Sequence, residues 1–193
     1  MSEQAKKLNP KEILQPALSL FLFCLIVTAL LAGTNLLTKD KIVEQERLAE
    51  ETSRMTVSPG AESFAASDDG TYYLAQAGGE TIGYVFTTTA NSYGGEIKVM
   101  TGISSDGMVT GVSLLSISDT PGLGMNAEKE SFRDQYKKAA PSGGFTVIKN
   151  GTAGDTEISA MTGATITSQA VTDAVNDAIE QYYACLLYTS PSP

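Results

Sequence analysis

From Ile13 to Thr38 the chain carries no charged residue, and Leu18 to Ala32 is almost wholly apolar. A bilayer core takes about 20 apolar residues of helix, so this run is long enough to cross one. A soluble fold would have to enclose such a helix, and the remaining domain is too small to surround it. A cleaved signal peptide has a shorter apolar core and a small-residue cleavage site. Here Ala32-Gly33-Thr34 offers only a weak one. The expected organisation is a tail over residues 1–12, a transmembrane helix over 13–38, a helical stalk or linker over 39–70 and a domain over 71–184. Lys6, Lys7 and Lys11 precede the span, and Lys39, Lys41 and Arg47 follow it. The positive-inside count is nearly balanced and does not orient the chain. The stretch from Thr38 to Arg54 reads as a charged, solvated helix with no specific role.

Charge and composition exclude several functions. Residues 1–54 are balanced, so the rest of the chain holds the whole net charge of −9. An acidic domain without a basic stripe is a poor partner for nucleic acid. The chain has no histidine, which removes a Ser-His-Asp triad, a histidine metal site and the usual general base. Of the two cysteines, Cys24 lies in the span and Cys185 near the end. They form neither a stabilising pair, a haem attachment site nor an iron–sulfur array. Redox work by this chain requires a borrowed cofactor.

From Thr71 onward the pattern is that of strands. Thr71 to Ala77 and Thr81 to Thr89 flank Gly78-Gly79, and Glu96 to Ser104 and Met108 to Ser118 flank Asp106-Gly107. Both are hairpin signals. Asn126 is expected to cap a helix through Lys138, with Phe132 and Tyr136 on one side, ended by Pro141-Ser142-Gly143-Gly144. Phe145 to Lys149 reads as a short strand. Hairpins with two separated helices give an α+β domain of antiparallel hairpins and two packed helices, not a doubly wound parallel sheet.

The stretch richest in chemistry is Met161-Thr162-Gly163-Ala164-Thr165-Ile166-Thr167-Ser168. It leads into a helix in which Val171, Ala174, Val175, Ala178, Ile179 and Tyr182 recur at helical spacing. Thr167 or Ser168 is expected to be the N-cap. The free N–H groups and dipole of a helix start favour an anion such as phosphate just ahead of it. Gly163 and Ala164 leave the Thr165 hydroxyl accessible. By local chemistry alone the segment is equally a capped helix start. A second segment, Asp119-Thr120-Pro121-Gly122-Leu123-Gly124, leaves the end of the longest strand. Alone it is a proline-glycine turn. It also suits a flat ring: Pro121 stiffens the loop, Gly122 and Gly124 admit close backbone approach, and Leu123 offers an apolar contact. Tyr93, before Gly94-Gly95, either stacks on such a ring or packs in the core. The last residues, 185–193, are not expected to continue the helical pattern. They resemble sequencing-adapter readthrough and form a doubtful tail.

Thr162-Gly163-Ala164-Thr165 followed by Ile-Thr-Ser resembles the flavinylation motif of the FMN-binding domain in the G subunit of Rnf electron-transport complexes. The C subunit of the sodium-translocating NADH:quinone oxidoreductase shares that domain. Asp119 to Gly124 resembles the Glu-Thr-Pro-Gly-Leu-Gly segment of the same family, with Asp119 in place of Glu. Tyr93-Gly94-Gly95 resembles a third family segment. The likeness covers roughly Tyr73 to Tyr183. Ser159 stands where the family often has an acidic residue.

The resemblance implies a membrane-anchored electron carrier with FMN joined to Thr165 through its phosphate. It implies attachment by a separate flavin transferase and contacts from Thr162, Gly163, Ala164, Thr167, Asp119, Thr120, Gly122, Leu123, Gly124 and Tyr93. It further implies a cytoplasmic N-terminus, an extracytoplasmic domain on the cell (inner) membrane, and membrane subunits of the same ion-translocating ferredoxin:NAD complex as partners. The alternatives are the quinone-reductase C subunit, or a membrane-anchored FMN-binding or sensory module outside any respiratory complex.

Overall fold

The computed structural model describes residues 10–68 and 70–189. They fall into two units, Met1–Arg47 and Leu48–Pro193. Helix α1 (Pro10–Val57) carries the uncharged run. Every side chain from Leu14 to Ala32 is exposed, and the helix is long and apolar enough to cross a membrane. Two of its hydroxyls bond within the helix, as lipid favours: Ser19 donates to the Gln15 carbonyl at 3.0 Å, and Thr34 to that of Leu30 at 2.9 Å. Residues 1–9 of the expected tail lie outside the described residues.

In the second unit the two glycine-marked turns build an antiparallel meander. Gly78 and Gly79 both adopt positive φ, 59° and 86°, the backbone that a tight hairpin needs and that glycine takes without steric cost. They join β2 (Tyr72–Ala77) to β3 (Glu80–Asn91). The Asp106-Gly107 turn joins β4 (Glu96–Ser104) to β5 (Val109–Ser116). With β1 (Ser63–Ala66) at the edge, the sheet runs in order β1-β2-β3-β4-β5. β1 lies in the stretch read from sequence as stalk. Its four residues, with Phe64 the only large apolar one, are too few for a legible pattern.

Helix α3 (Thr165–Thr189) covers one face of the sheet. All six residues of its predicted stripe are buried there, against Phe86, Ile97, Val99 and Ile103. Thr88 on β3 donates to the Ala174 carbonyl at 2.8 Å and pins the helix to the sheet. The backbone of α3 continues through Thr189, so the expectation that the pattern stops at Cys185 is corrected. Cys185 packs against the core formed by α3 and the sheet, which favours another turn of helix. Residues 190–193 lie outside the described residues.

The other face of the sheet is covered by the last turns of α1. Val57 packs with Val85 and Met100, flanked by Phe64, Tyr73 and Leu115. Glu50 pairs with Lys98 at 2.6 Å, and the Arg54 guanidinium lies 4.1 Å from the Tyr73 ring centre. The reading of this stretch as a merely solvated helix is therefore corrected. Gly102 and Gly111 make room: a Cβ on Gly111 would sit 2.9 Å from the Val57 Cα. This packing depends on two glycines on distant strands, which no local pattern in α1 announces.

The predicted helix from Asn126 to Lys138 is broken. A 3-10 turn (Gly124–Glu128), α2 (Glu130–Arg133) and a second 3-10 turn (Asp134–Tyr136) replace it. Asn126 is no cap; its side chain donates to the Gly122 carbonyl at 2.6 Å. Lys129 interrupts the predicted helix with extended backbone, φ −71° and ψ 140°, while Phe132 and Tyr136 beyond the break are both buried. Two short strands, β6 (Thr146–Ile148) and β7 (Glu157–Ser159), form a separate parallel pair. β7 delivers the chain to Met161, and the Gln135 side chain brackets Ser159, accepting from its N–H at 2.8 Å.

Candidate functional site

Helix α3 begins at Thr165, ahead of both expected caps, Thr167 and Ser168. Thr167 and Ser168 are therefore inside the first turn and are not N-caps. Their hydroxyls are engaged in other ways. Ser168 accepts from the Met161 N–H at 3.0 Å and donates to the Ala164 carbonyl at 2.9 Å, folding the motif loop back on the helix. Thr167 donates to the Asp119 carboxylate at 2.5 Å. The early start follows from Gly163, whose φ of +77° turns the chain into the helix.

The N–H groups of Thr165, Ile166 and Thr167 have no acceptor among the described residues. Such groups, with the helix dipole, favour an anion at this end. The Thr165 hydroxyl is likewise uncommitted among the described residues, and its residue is half-buried. Of the four motif hydroxyls it is the one that both borders the adjoining cavity and has no partner.

That cavity measures about 510 Å³ and is walled by Gly163, Ala164, Thr165 and Thr167 on one side. Asp119, Thr120, Leu123 and Gly124 form another wall, and Tyr93 stands at the rim, 73% exposed. The volume lies in the range of small-molecule and cofactor sites, about 300–1,000 Å³. The fold thus brings together three segments far apart in the chain. Two predicted residues stand outside the wall. Thr162 is exposed, and Gly122, with φ of +78°, shapes the turn. Two residues join the site that sequence reasoning missed. Ile166, 59% exposed, lines the cavity beside Leu123, at 45%. Ser92 donates to Asp119 at 2.5 Å. Ile166 is the one large apolar residue in a hydroxyl-rich segment, a signal that was available; Ser92 carried none.

Asp119 is 4% exposed. Burial pushes its pKa up, but hydrogen bonds from Ser92, Thr167 and the Gly94 N–H outweigh it and hold the carboxyl below its ordinary value. A group whose folded pKa is depressed adds stability above its unfolded pKa and loses it as pH falls through the folded value. The Asp119 contribution is therefore expected to be full above about pH 4 and to be lost as the pH falls from there through the lower folded value. Asp119→Asn should flatten the acid limb of the domain's melting temperature against pH. An unchanged limb would mean that the carboxylate is not ionised in the fold.

The site residues fit a flavin mononucleotide: an uncommitted hydroxyl, free N–H donors for a phosphate, and an apolar pair beside a tyrosine for a ring. Sequence comparison agrees. Residues 92–180 match the FMN-binding domain family, and residues 1–56 match the RnfG N-terminal region. Two crystal structures share the fold. The C subunit of the Na(+)-translocating NADH-quinone reductase from Parabacteroides distasonis aligns with a TM-score of 0.53 at 24% identity, over 63% of each chain. NqrC of Shewanella oneidensis aligns with a TM-score of 0.54 at 17% identity, over 70% of this chain and 74% of the other. Fold and site thus define a membrane-anchored protein of the FMN-binding domain class.

Two relatives match nearly end to end. The G subunit of the proton-translocating ferredoxin:NAD(+) oxidoreductase complex of Clostridium ljungdahlii is 34% identical, over 92% of this chain and 95% of its own. The G subunit of the Na(+)-translocating ferredoxin:NAD(+) oxidoreductase complex of Acetobacterium woodii is 33% identical, over 94% and 97%. The chain belongs to the G-subunit family of Rnf-type ion-translocating oxidoreductase complexes.

Proposed function

We propose that this chain is the flavin-carrying electron-transfer subunit of an Rnf-type ferredoxin:NAD oxidoreductase complex, with FMN joined through its phosphate to Thr165. The observation that carries the reading is the free Thr165 hydroxyl in the cavity wall, at a helix start with unused N–H donors. Once bound, FMN supplies reversible electron uptake, which no side chain of this protein can. The chain's own residues place the Thr165 oxygen, offer N–H donors to the remaining phosphate charge, and flank the ring with Leu123, Ile166 and Tyr93.

Attachment requires a partner. The Thr165 oxygen replaces AMP on the FMN phosphate of FAD: the new P–O bond forms as the pyrophosphate P–O bond breaks. The threonine proton goes to a base on the flavin transferase, since the described cavity wall offers no free base. Fluorescence of the denatured protein in a gel tests the covalent link, which alone survives denaturation. A non-fluorescent band after co-expression with the transferase would refute it.

The quinone-reductase C subunit is the second reading, favoured by the two shared folds. The G-subunit relatives match over far more of the chain, including the N-terminal region, and favour the first. The partners in this reading are the membrane subunits of the complex. This reading has the N-terminus in the cytoplasm and the domain on the extracytoplasmic side of the cell membrane. Cysteine labelling of Asp68→Cys, an exposed turn position, should proceed in intact cells, and that of Ser2→Cys only after permeabilisation. The reverse pattern would invert the topology.

A further inference from the structure

We infer that Asp119 is a positioning residue: its carboxylate clamps the Ser92–Gly95 turn to the first turn of α3 and thereby fixes Thr165 against the opposite walls of the cavity. Its role in flavin loading rests on the function proposed above, but the clamp is a property of the bare chain.

The geometry points to this because both carboxylate oxygens are already used by protein donors. Oδ1 accepts from the Gly94 N–H at 2.6 Å. Oδ2 accepts from Ser92 Oγ and Thr167 Oγ1, each at 2.5 Å. These donors belong to two segments remote in the chain, the β3–β4 turn and the first turn of α3. Two glycines are small at this junction, Gly124 beside the Asp119 side chain and Gly94 beside the Ser118–Asp119 backbone. A Cβ on Gly124 would lie 2.5 Å from the Asp119 Cβ and 2.8 Å from Thr167 Oγ1. One on Gly94 would lie 2.9 Å from the Asp119 Cα. Neither glycine has positive φ, so each is small for the sake of this contact and not for its backbone. Thr167 stands two residues beyond Thr165, about 3 Å along the helix axis. A tether on one therefore places the other. An asparagine loses the charge-assisted bonds: its amide nitrogen would donate to the Ser92 and Thr167 hydroxyls, which would have to turn and accept, and neutral bonds replace stronger ionic ones. A functional group gains from being held before it reacts.

The test uses the full membrane-anchored chain co-expressed with a flavin transferase. The variants are Asp119→Asn, Ser92→Ala, Thr167→Val and the double variant Asp119→Asn/Thr167→Val. Loaded fraction is read by intact mass, and ring environment by the visible circular dichroism and midpoint potential of the flavin. Asp119→Asn and Thr167→Val are each expected to lower loading about tenfold, the effect of one buried hydrogen bond lost. The double variant should be no worse than Asp119→Asn alone, because the two residues act as one unit. Losses that multiply would overturn the clamp. So would a changed potential in Asp119→Asn with Ser92→Ala and Thr167→Val unchanged, since the carboxylate would then act on the flavin by its own charge.

Hydrogen exchange on the unflavinylated chain separates the clamp from the cofactor reading. Exchange at residues 92–95 and 164–168 should rise together in Asp119→Asn. Unchanged exchange overturns the clamp even if flavin is carried. Raised exchange in a chain that takes no flavin upholds the clamp and overturns the flavin function.

Discussion

Thr165→Ala protein, made alongside a flavin transferase, is expected to carry no covalent flavin and to remain folded. A phosphoester needs a hydroxyl at the attachment point, and methyl replaces it here. Three rivals stand within a few residues. Thr167 is spent on Asp119, and Ser168 on Met161 and Ala164. Thr162 is exposed and outside the cavity wall. The Thr165 hydroxyl makes no hydrogen bond among the described residues, so its loss should alter stability by no more than about 0.5 kcal/mol. Thr165→Ser keeps the nucleophile and should retain flavin. Intact mass and peptide mapping distinguish the outcomes. A flavin-bearing peptide from Thr165→Ala protein would move the attachment to another residue.

The largest stability effect is expected far from the cavity. Val57 is fully buried between the end of α1 and the sheet. Its carbonyl accepts a hydrogen bond from Thr110, and Gly102 and Gly111 are small beneath it. Val57→Asp would bury a polar group in that apolar cluster, costing about 3 kcal/mol or more. For a domain of this size that lowers the melting temperature on the order of 10 °C. Leu48→Asp, on the same helix but 47% exposed, should shift it far less. Thermal unfolding of the detergent-solubilised chain checks both. Equal melting of Val57→Asp and the parent would mean that the end of α1 adds nothing to the domain, and that a soluble fragment can begin after it.

Local patterns carried much of this protein. The uncharged run from Ile13 to Thr38 needs no tertiary information, because the bilayer criterion is one of length and polarity. Gly78-Gly79 and Asp106-Gly107 mark their hairpins because few residues tolerate the backbone of a tight turn. The α3 stripe is legible because burial on one face imposes the helical period. Thr165, Leu123 and Tyr93 were legible as candidates through motif resemblance, and the fold gathers them at one cavity.

What the sequence did not reveal depends on contacts between distant segments. The helix starts at Thr165, where Gly163 turns the chain, and Thr167 and Ser168 bind Asp119 and the Met161 N–H instead of capping. The helix after Gly124 is broken at Lys129, whose backbone is extended, and Asn126 turns back to the Gly122 carbonyl instead of capping. Ser92 enters the site only because the β3–β4 turn meets Asp119 across the fold. Gly124 was read as room for a ring, yet the space beside it is filled by Asp119 and Thr167. Sequence by itself determined the apolar helix and the hairpins, since each rests on a local steric or solvation rule, and resemblance singled out Thr165 as the candidate. Only the tertiary structure decided which hydroxyls remain free, because hydrogen bonds between segments remote in the chain leave no local period or composition to read.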